Sequence, residues 1–184
     1  MKRYDIINGL IKKYGFKSYL EIGVFQRENF SKIECELKKC VDPNFPADHH
    51  MSSNMFFEFN HDTYDIIFID GLHTELQTFV DIYQSWQILN KGGFIVVHDC
   101  NPETKWHTRP PEQYKRGEEW NGTTYRGFIA FKQAHPEMNC FVVNADYGCG
   151  IITEGSGDYF EQFDKHRESI LTLIEPSVFS HIYT

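Results

Sequence analysis

The chain has 184 residues, of which 41% are hydrophobic, 24% charged and 16% aromatic, a globular composition that excludes a largely disordered or collagen-like chain. Eighteen Lys and Arg stand against 26 Asp and Glu, a formal net charge of −8. That balance argues against a broad electrostatic grip on nucleic acid or anionic membrane, favours a small-molecule partner, and at this length predicts a single domain over residues 1–184.

At the N-terminus, Ile6, Ile7, Leu10 and Ile11 recur at helical spacing before Gly15, predicting a short helix with one buried stripe. The same stretch has no apolar h-region or small-residue cleavage site, so no signal peptide is expected. Four short apolar runs follow, KSYLEIG, KKCVD, YDIIFID and GGFIVVHDC, each ending near an acid or glycine and separated by helical pattern. That alternation is βαβ rhythm. Between the last two, Leu76, Phe79, Val80, Tyr83, Trp86 and Leu89 fall at spacings of three and four, predicting a helix over Thr74 to Leu89. The stretch from Asn101 to Glu119 has three prolines and no period of either kind; it reads either as a lid or substrate wall or as a tolerated insertion. Beyond it, a helix is expected over Thr123 to Gln133, strands over CFVVNADY and GCGIITE, and a final helix over Asp158 to Ile174. The five cysteines form no CxxC pair, which favours reduced thiols and a cytoplasmic location. No stretch approaches the roughly 20 apolar residues of a membrane span.

In a parallel sheet covered on both faces, ligands bind beyond the C-terminal strand ends. Glu21 and Gly23, Asp42, Asp70 and Gly71, and His98 and Asp99 should therefore line one crevice. Tyr19 to Phe30 reads as a strand, a glycine turn and a helix, in which Gly23 permits a tight turn and Glu21 can meet a cationic or hydroxyl group. Phe25 and Glu28 occupy the places of the second and third glycines of GxGxxG, so a dinucleotide pyrophosphate would lack its close backbone approach. Asp42, 19 residues beyond Gly23, can accept both hydrogens of a ribose diol, or can simply be a turn aspartate before Pro43.

The ordered set E-I-G, V-D-P-N, F-I-D-G-L-H-T and K-G-G-F-I-V-V-H-D-C, with W-N-G-T-T-Y and D-Y-G-C-G-I-I after it, resembles bacterial class I S-adenosylmethionine-dependent methyltransferases. The likeness is to the small enzymes associated with sugar and polysaccharide biosynthesis. The resemblance implies a Rossmann-like α/β sheet of seven strands sandwiched by helices, mostly parallel, with an antiparallel pair near Cys140 to Tyr147 and Cys149 to Glu154 at one edge. It also implies that Glu21 and Gly23 face the methionine part of the cofactor, Asp42 the ribose and Ser53 and Asn54 the adenine, with Asp70 beside them. Asn54 departs from a frequent aspartate, and Arg27 from a frequent glycine.

Methyl transfer from a sulfonium is an in-line displacement, in which the enzyme supplies proximity and, for a hydroxyl acceptor, a base. His73 or His98 fits that role, with Asp99 beside them, because free imidazole is largely neutral at physiological pH. Alternatively Asp70, His98 and Asp99 hold Mg2+ or another divalent cation that acidifies the hydroxyl. The plainer reading is that one histidine is a structural partner of Asp99 and that Asp70 caps the helix near Thr74. Trp120 could stack on a sugar ring or belong to the core, and Asn121 could bind substrate or cap the following helix. The function expected is methylation of a small polar acceptor such as a sugar. The competing readings are a nicotinamide-dependent oxidoreductase and a cofactor-binding module without catalysis.

Overall fold

A computed structural model describes residues 1–155 and 171–183. Helix α1 (Arg3–Tyr14) buries Ile6, Ile7, Leu10 and Ile11. There follow β1 (Ser18–Ile22), β2 (Leu37–Val41), α2 (Ser53–Phe59), β3 (Tyr64–Ile69), α3 (Glu75–Gln87) and β4 (Leu89–Val97). After the long loop come α4 (Thr124–Ala134), β5 (Met138–Val143), β6 (Cys149–Glu154), β7 (Leu173–Ile174) and α5 (Pro176–Tyr183). The strands form one seven-stranded sheet in the order β2-β1-β3-β4-β6-β5-β7. Every pairing is parallel except those of β6, which runs antiparallel to β4 and β5.

Strand alternation sorts the core into two layers. Tyr19, Ile66, Phe68, Phe94 and Val96 pack on one face with Ile6, Leu10, Phe179 and Tyr183 from α1 and α5. Leu20, Ile67, Ile69, Ile95 and Val97 pack on the other with Ile82, Phe128 and Phe131 from α3 and α4. Strands buried on both faces explain the continuous apolar runs. No helix among the described residues is long and apolar enough to cross a membrane.

Four expectations need correction. The β5–β6 pair is not at the sheet edge, because β7 adds in parallel to the outer side of β5. The turn after β1 leads to a short 3-10 turn, Phe30–Lys32, instead of a helix; Phe25 and Arg27 both have positive φ, 46° and 62°, which breaks helical continuity. The expected final helix falls over 158–170 outside the described residues, and its last two residues are strand β7. In α3 the buried positions are Thr78, Asp81, Ile82 and Ser85, while Leu76 is 75% exposed and Leu89 already belongs to β4. The cause is close approach of α4. A Cβ on Gly127 would lie 2.5 Å from the Glu75 carbonyl oxygen, so the two helices meet closely at the start of α3, while Phe79 and Trp86 of the expected stripe pack against Phe131 of α4.

Candidate active site

The C-terminal ends of β1, β2, β3 and β4 open into one cavity of about 930 Å³. Glu21, Gly23, Asp42, Ser53, Asn54, Asp70, His73, His98 and Asp99 all line it, so the expected cofactor, catalytic and metal residues reach the same space. Arg3 and Gln77, which no sequence pattern singled out, line it too, as do Tyr114 and Arg116 from the Asn101–Glu119 stretch read as a candidate substrate wall. Arg3 arrives from the first turn of α1, and no local pattern distinguishes it from a solvated surface arginine.

At the β1–β2 end the chain is drawn tight. Gly23 has φ 84°, and a Cβ there would lie 2.1 Å from the Asp70 carbonyl oxygen. Only glycine permits that crossing. Asp42 accepts four backbone N–H groups: Val24 and Phe25 on Oδ2 at 3.0 and 3.1 Å, Asn44 and Phe45 on Oδ1 at 2.8 and 3.0 Å. The aspartate thus ties both loops together, and a ribose diol reaching it must share or displace these donors. Phe25 and Phe45 meet edge to face at 4.7 Å beside it. Arg27, at the position where the resembled family has glycine, takes the left-handed conformation glycine would favour, and lies over the Phe30 ring at 4.5 Å. Glu21 is 1% exposed. Burial pushes its carboxyl up to about 7, against the opposing hydrogen bonds from Tyr19 and Asn29.

Ser53 and Asn54 begin α2, with the Ser52 side chain accepting from Met55 N–H as the cap. Gln77 of α3 reaches across and donates to both of them and to Asp81.

The β3–β4 end is built from charge instead. His73 Nε2 lies 3.2 Å from Asp70 Oδ1, and His73 Nδ1 lies 3.3 Å from Asp99 Oδ2 and 3.0 Å from the Trp120 carbonyl. His98 Nδ1 lies 3.3 Å from Asp70 and 3.1 Å from Asp99. Its Nε2 looks the other way, toward Arg3 at 3.3 Å and Asp146 at 3.7 Å, and Arg3 is itself bound to Asp146 at 2.9 Å. Burial works against a charged His98, but the Asp99, Asp70 and Asp146 carboxylates outweigh it and push its pKa up to about 10. His73 is raised as well, burial being overcome by Asp70, Asp99 and the Trp120 carbonyl. Asp70 is held well below the usual carboxylate range because His98 and His73 outweigh its burial. Burial dominates at Asp99 and raises it.

The expected neutral imidazole therefore does not hold for His98, which is an enclosed imidazolium whose side chain is only 7% exposed. His73, at 19%, is the more accessible ring. Asp70, His73 and Asp99 each offer an atom within 4.8 Å of the others, a candidate metal set beside the expected Asp70, His98 and Asp99. Two carboxylates and an imidazole fit a hard divalent cation, and the neighbouring Asn121 Oδ1 is buried without a hydrogen-bond partner. Asp70 does not cap α3, whose N-cap residue is Thr74.

The loop from Asn101 to Glu119 is a wall of the cavity, organised by buried Arg109. Its Nη1 donates to the Trp106 and Glu119 carbonyls at 2.8 and 3.0 Å, and its Nη2 pairs with Glu118 at 2.7 Å. The Arg109 carbonyl in turn accepts the Trp120 indole N–H at 2.7 Å. Trp120 is stacked on His73 at 5.2 Å and on Tyr114 at 4.9 Å. Both of its faces are thereby taken, and the outer ring of the stack is Tyr114. Asn121 does not cap α4; its side chain donates to Asp99. Tyr147 lies in the turn before β6, facing the cavity, instead of in a strand. Cys149 is fully buried, and burial pushes its thiol far up, consistent with the absence of a nucleophilic role.

The chain matches a family model described as a methyltransferase domain over residues 27–100, from the β1 turn to the end of β4. No curated protein matches the sequence. Among solved structures it is similar to a candidate caffeoyl-CoA O-methyltransferase from Staphylococcus aureus, at 17% identity and TM-score 0.61, covering 83% of this chain and 82% of that one. It is also similar to a candidate O-methyltransferase from Klebsiella pneumoniae, at 14% identity and TM-score 0.59 over 84% and 80% of the two chains. A third is the O-methyltransferase from Bacillus cereus in complex with SAH, at 12% identity and TM-score 0.56 over 83% and 80%. The fold is that of the Rossmann-like class I methyltransferases. A dinucleotide site has less support: no helix follows the β1 turn to present its N-terminus to a pyrophosphate.

Proposed function

We propose that the protein transfers a methyl group from S-adenosylmethionine to a hydroxyl of a small polar acceptor such as a sugar. The observation that carries this reading is the convergence of four strand ends on one cavity, with a buried carboxylate at Glu21, a backbone-clamped carboxylate at Asp42 and an acid–histidine cluster at Asp70, His73 and Asp99. In this reading Glu21 and Asp70 face the cofactor's amino group, the Gly23 turn lies along its methionine chain, Asp42 meets the ribose, and Ser53 and Asn54 flank the adenine. The acceptor enters beside the Tyr114–Trp120–His73 stack. Its hydroxyl is placed against the sulfonium methyl for in-line attack, so most of the rate gain is proximity.

His73 receives the hydroxyl proton. Its raised pKa makes it a stronger base once deprotonated but leaves a smaller fraction unprotonated near neutral pH, so turnover should rise with pH, and it is the less buried of the two rings. His98, braced by Asp146 and Arg3, holds Asp70 and Asp99 in position. With a divalent cation held instead by Asp70, His73 and Asp99, His73 would be a ligand and not the base, and the cation would supply Lewis acidity to the acceptor oxygen.

The test is methyl transfer from labelled cofactor to a panel of sugars and other small hydroxyl compounds, with and without Mg2+. Labelled product, lost in the His73→Gln variant, is expected. Cofactor binding with no turnover of any hydroxyl acceptor would replace this reading with that of a non-catalytic binding module.

A further inference from the structure

Behind the segment that begins α2, a buried carboxylate sets the direction of two amides. Asp81 on α3 is 1% exposed. Burial pushes its carboxyl up to about 6, Ser53 and Gln77 opposing, so around neutral pH and above it is chiefly ionised and can only accept hydrogen bonds. Gln77 Nε2 lies 2.9 Å from Asp81 Oδ1, 2.9 Å from Asn54 Oδ1 and 3.2 Å from Ser53 Oγ. A side-chain amide has one donor end and one acceptor end. The carboxylate therefore admits a single orientation of Gln77, NH2 inward and Oε1 outward. Asn54 is fixed in turn, because its Oδ1 accepts from Gln77 and its NH2 must face away. Both residues line the cavity.

The wall thus offers a carbonyl acceptor next to an amide donor. A 6-aminopurine presents the complement, an amino donor at C6 beside ring-nitrogen acceptors, whereas a 6-oxopurine presents an acceptor at C6. We propose that Gln77 and Asn54 read the 6-amino edge of the cofactor's adenine, and that Asp81 is a positioning residue that sets the polarity of both amides. The inference rests on the cofactor reading above and adds to it the residues that distinguish adenine from its deaminated counterpart.

The test compares two ligands by calorimetry at a pH of about 7.5, S-adenosylhomocysteine and S-inosylhomocysteine, on the wild type and on Asp81→Asn and Gln77→Met. The wild type should prefer the adenine ligand by about tenfold or more, since a mismatched polar edge leaves groups unpaired. In Asp81→Asn the side chain can donate as well as accept, Gln77 is free to turn, and the preference should fall below about threefold, mainly through tighter binding of the inosine ligand. Gln77→Met, at a partly exposed position, should lose the preference while Ser53 remains as a hydrogen-bond partner of the buried acid. A purely structural role for Asp81 would weaken both ligands equally and leave the ratio unchanged, which overturns the inference. Equal binding of both ligands by the wild type overturns it too, while leaving the cofactor reading intact. Absence of binding by either ligand to folded wild type overturns both.

Discussion

Asp42 and Asp70 follow β2 and β3, the strands on either side of β1, in the same crevice and are satisfied in opposite ways. Asp42 takes four uncharged backbone donors; Asp70 faces two histidines. Backbone donors cannot leave without unfolding a loop, so the β1–β2 end is built for shape. Side-chain partners can exchange for ligand, proton or cation, so the β3–β4 end is built for chemistry. A crevice divided in this way predicts that substitutions at one end act mainly on stability and at the other mainly on turnover.

The largest effect should come from the chemical end. His73→Gln is expected to lower kcat by about 10²–10⁴-fold while leaving S-adenosylhomocysteine affinity and the urea midpoint close to wild type; a large loss of stability would blur the division. At the shaped end, Gly23→Ala forces a Cβ to 2.1 Å from a backbone oxygen and should cost about 3 kcal/mol or more of stability, read by urea denaturation.

Glu21 lies between the two ends, and its effect depends on pH. Burial pushes its carboxyl up to about 7 from the ordinary 4.5, so the native state holds the proton more tightly. Its contribution is fully present below about 4.5 and is lost as pH rises through about 7, roughly 3 kcal/mol in all. Glu21→Gln should flatten that part of the stability–pH profile. If Glu21 faces the cofactor's amino group, wild-type affinity should also rise between about pH 6 and 8, and the variant should not follow. Asp42→Asn keeps the shape but loses one acceptor oxygen; about 2 kcal/mol of stability is expected to go. Smallest of all, Leu76→Gln should change stability by less than about 0.5 kcal/mol, because the side chain is 75% exposed.

That last residue marks where the sequence was misleading. Leu76 and Tyr83 fit a helical stripe, yet both are exposed, and the buried face of α3 is Thr78, Asp81, Ile82 and Ser85, turned to where Gly127 brings α4 close. Periodicity reports apolar positions and is blind to a small-residue interface. The strands were legible for the opposite reason: burial on both faces makes their apolar runs continuous, and an acid or glycine at each end marks the crevice. Asp42, Asp70 and Asp99 could be placed from topology alone. Their partners could not, since Arg3 is separated from His98 by 95 residues and Asn121 from Asp99 by 22. Whether a histidine is a neutral base or an enclosed imidazolium depends on carboxylates delivered by other strands and loops, which is why the sequence could not choose between His73 and His98.

The most direct measurement is calorimetric titration of S-adenosylhomocysteine into the folded protein, with NAD+ as the competitor and Asp42→Asn as the control. The account predicts micromolar binding, about 8 kcal/mol, no competition by NAD+, and at least a tenfold loss in the variant, whose relaxed loops no longer shape the ribose site. No heat with S-adenosylhomocysteine, or displacement of it by NAD+, would contradict the account.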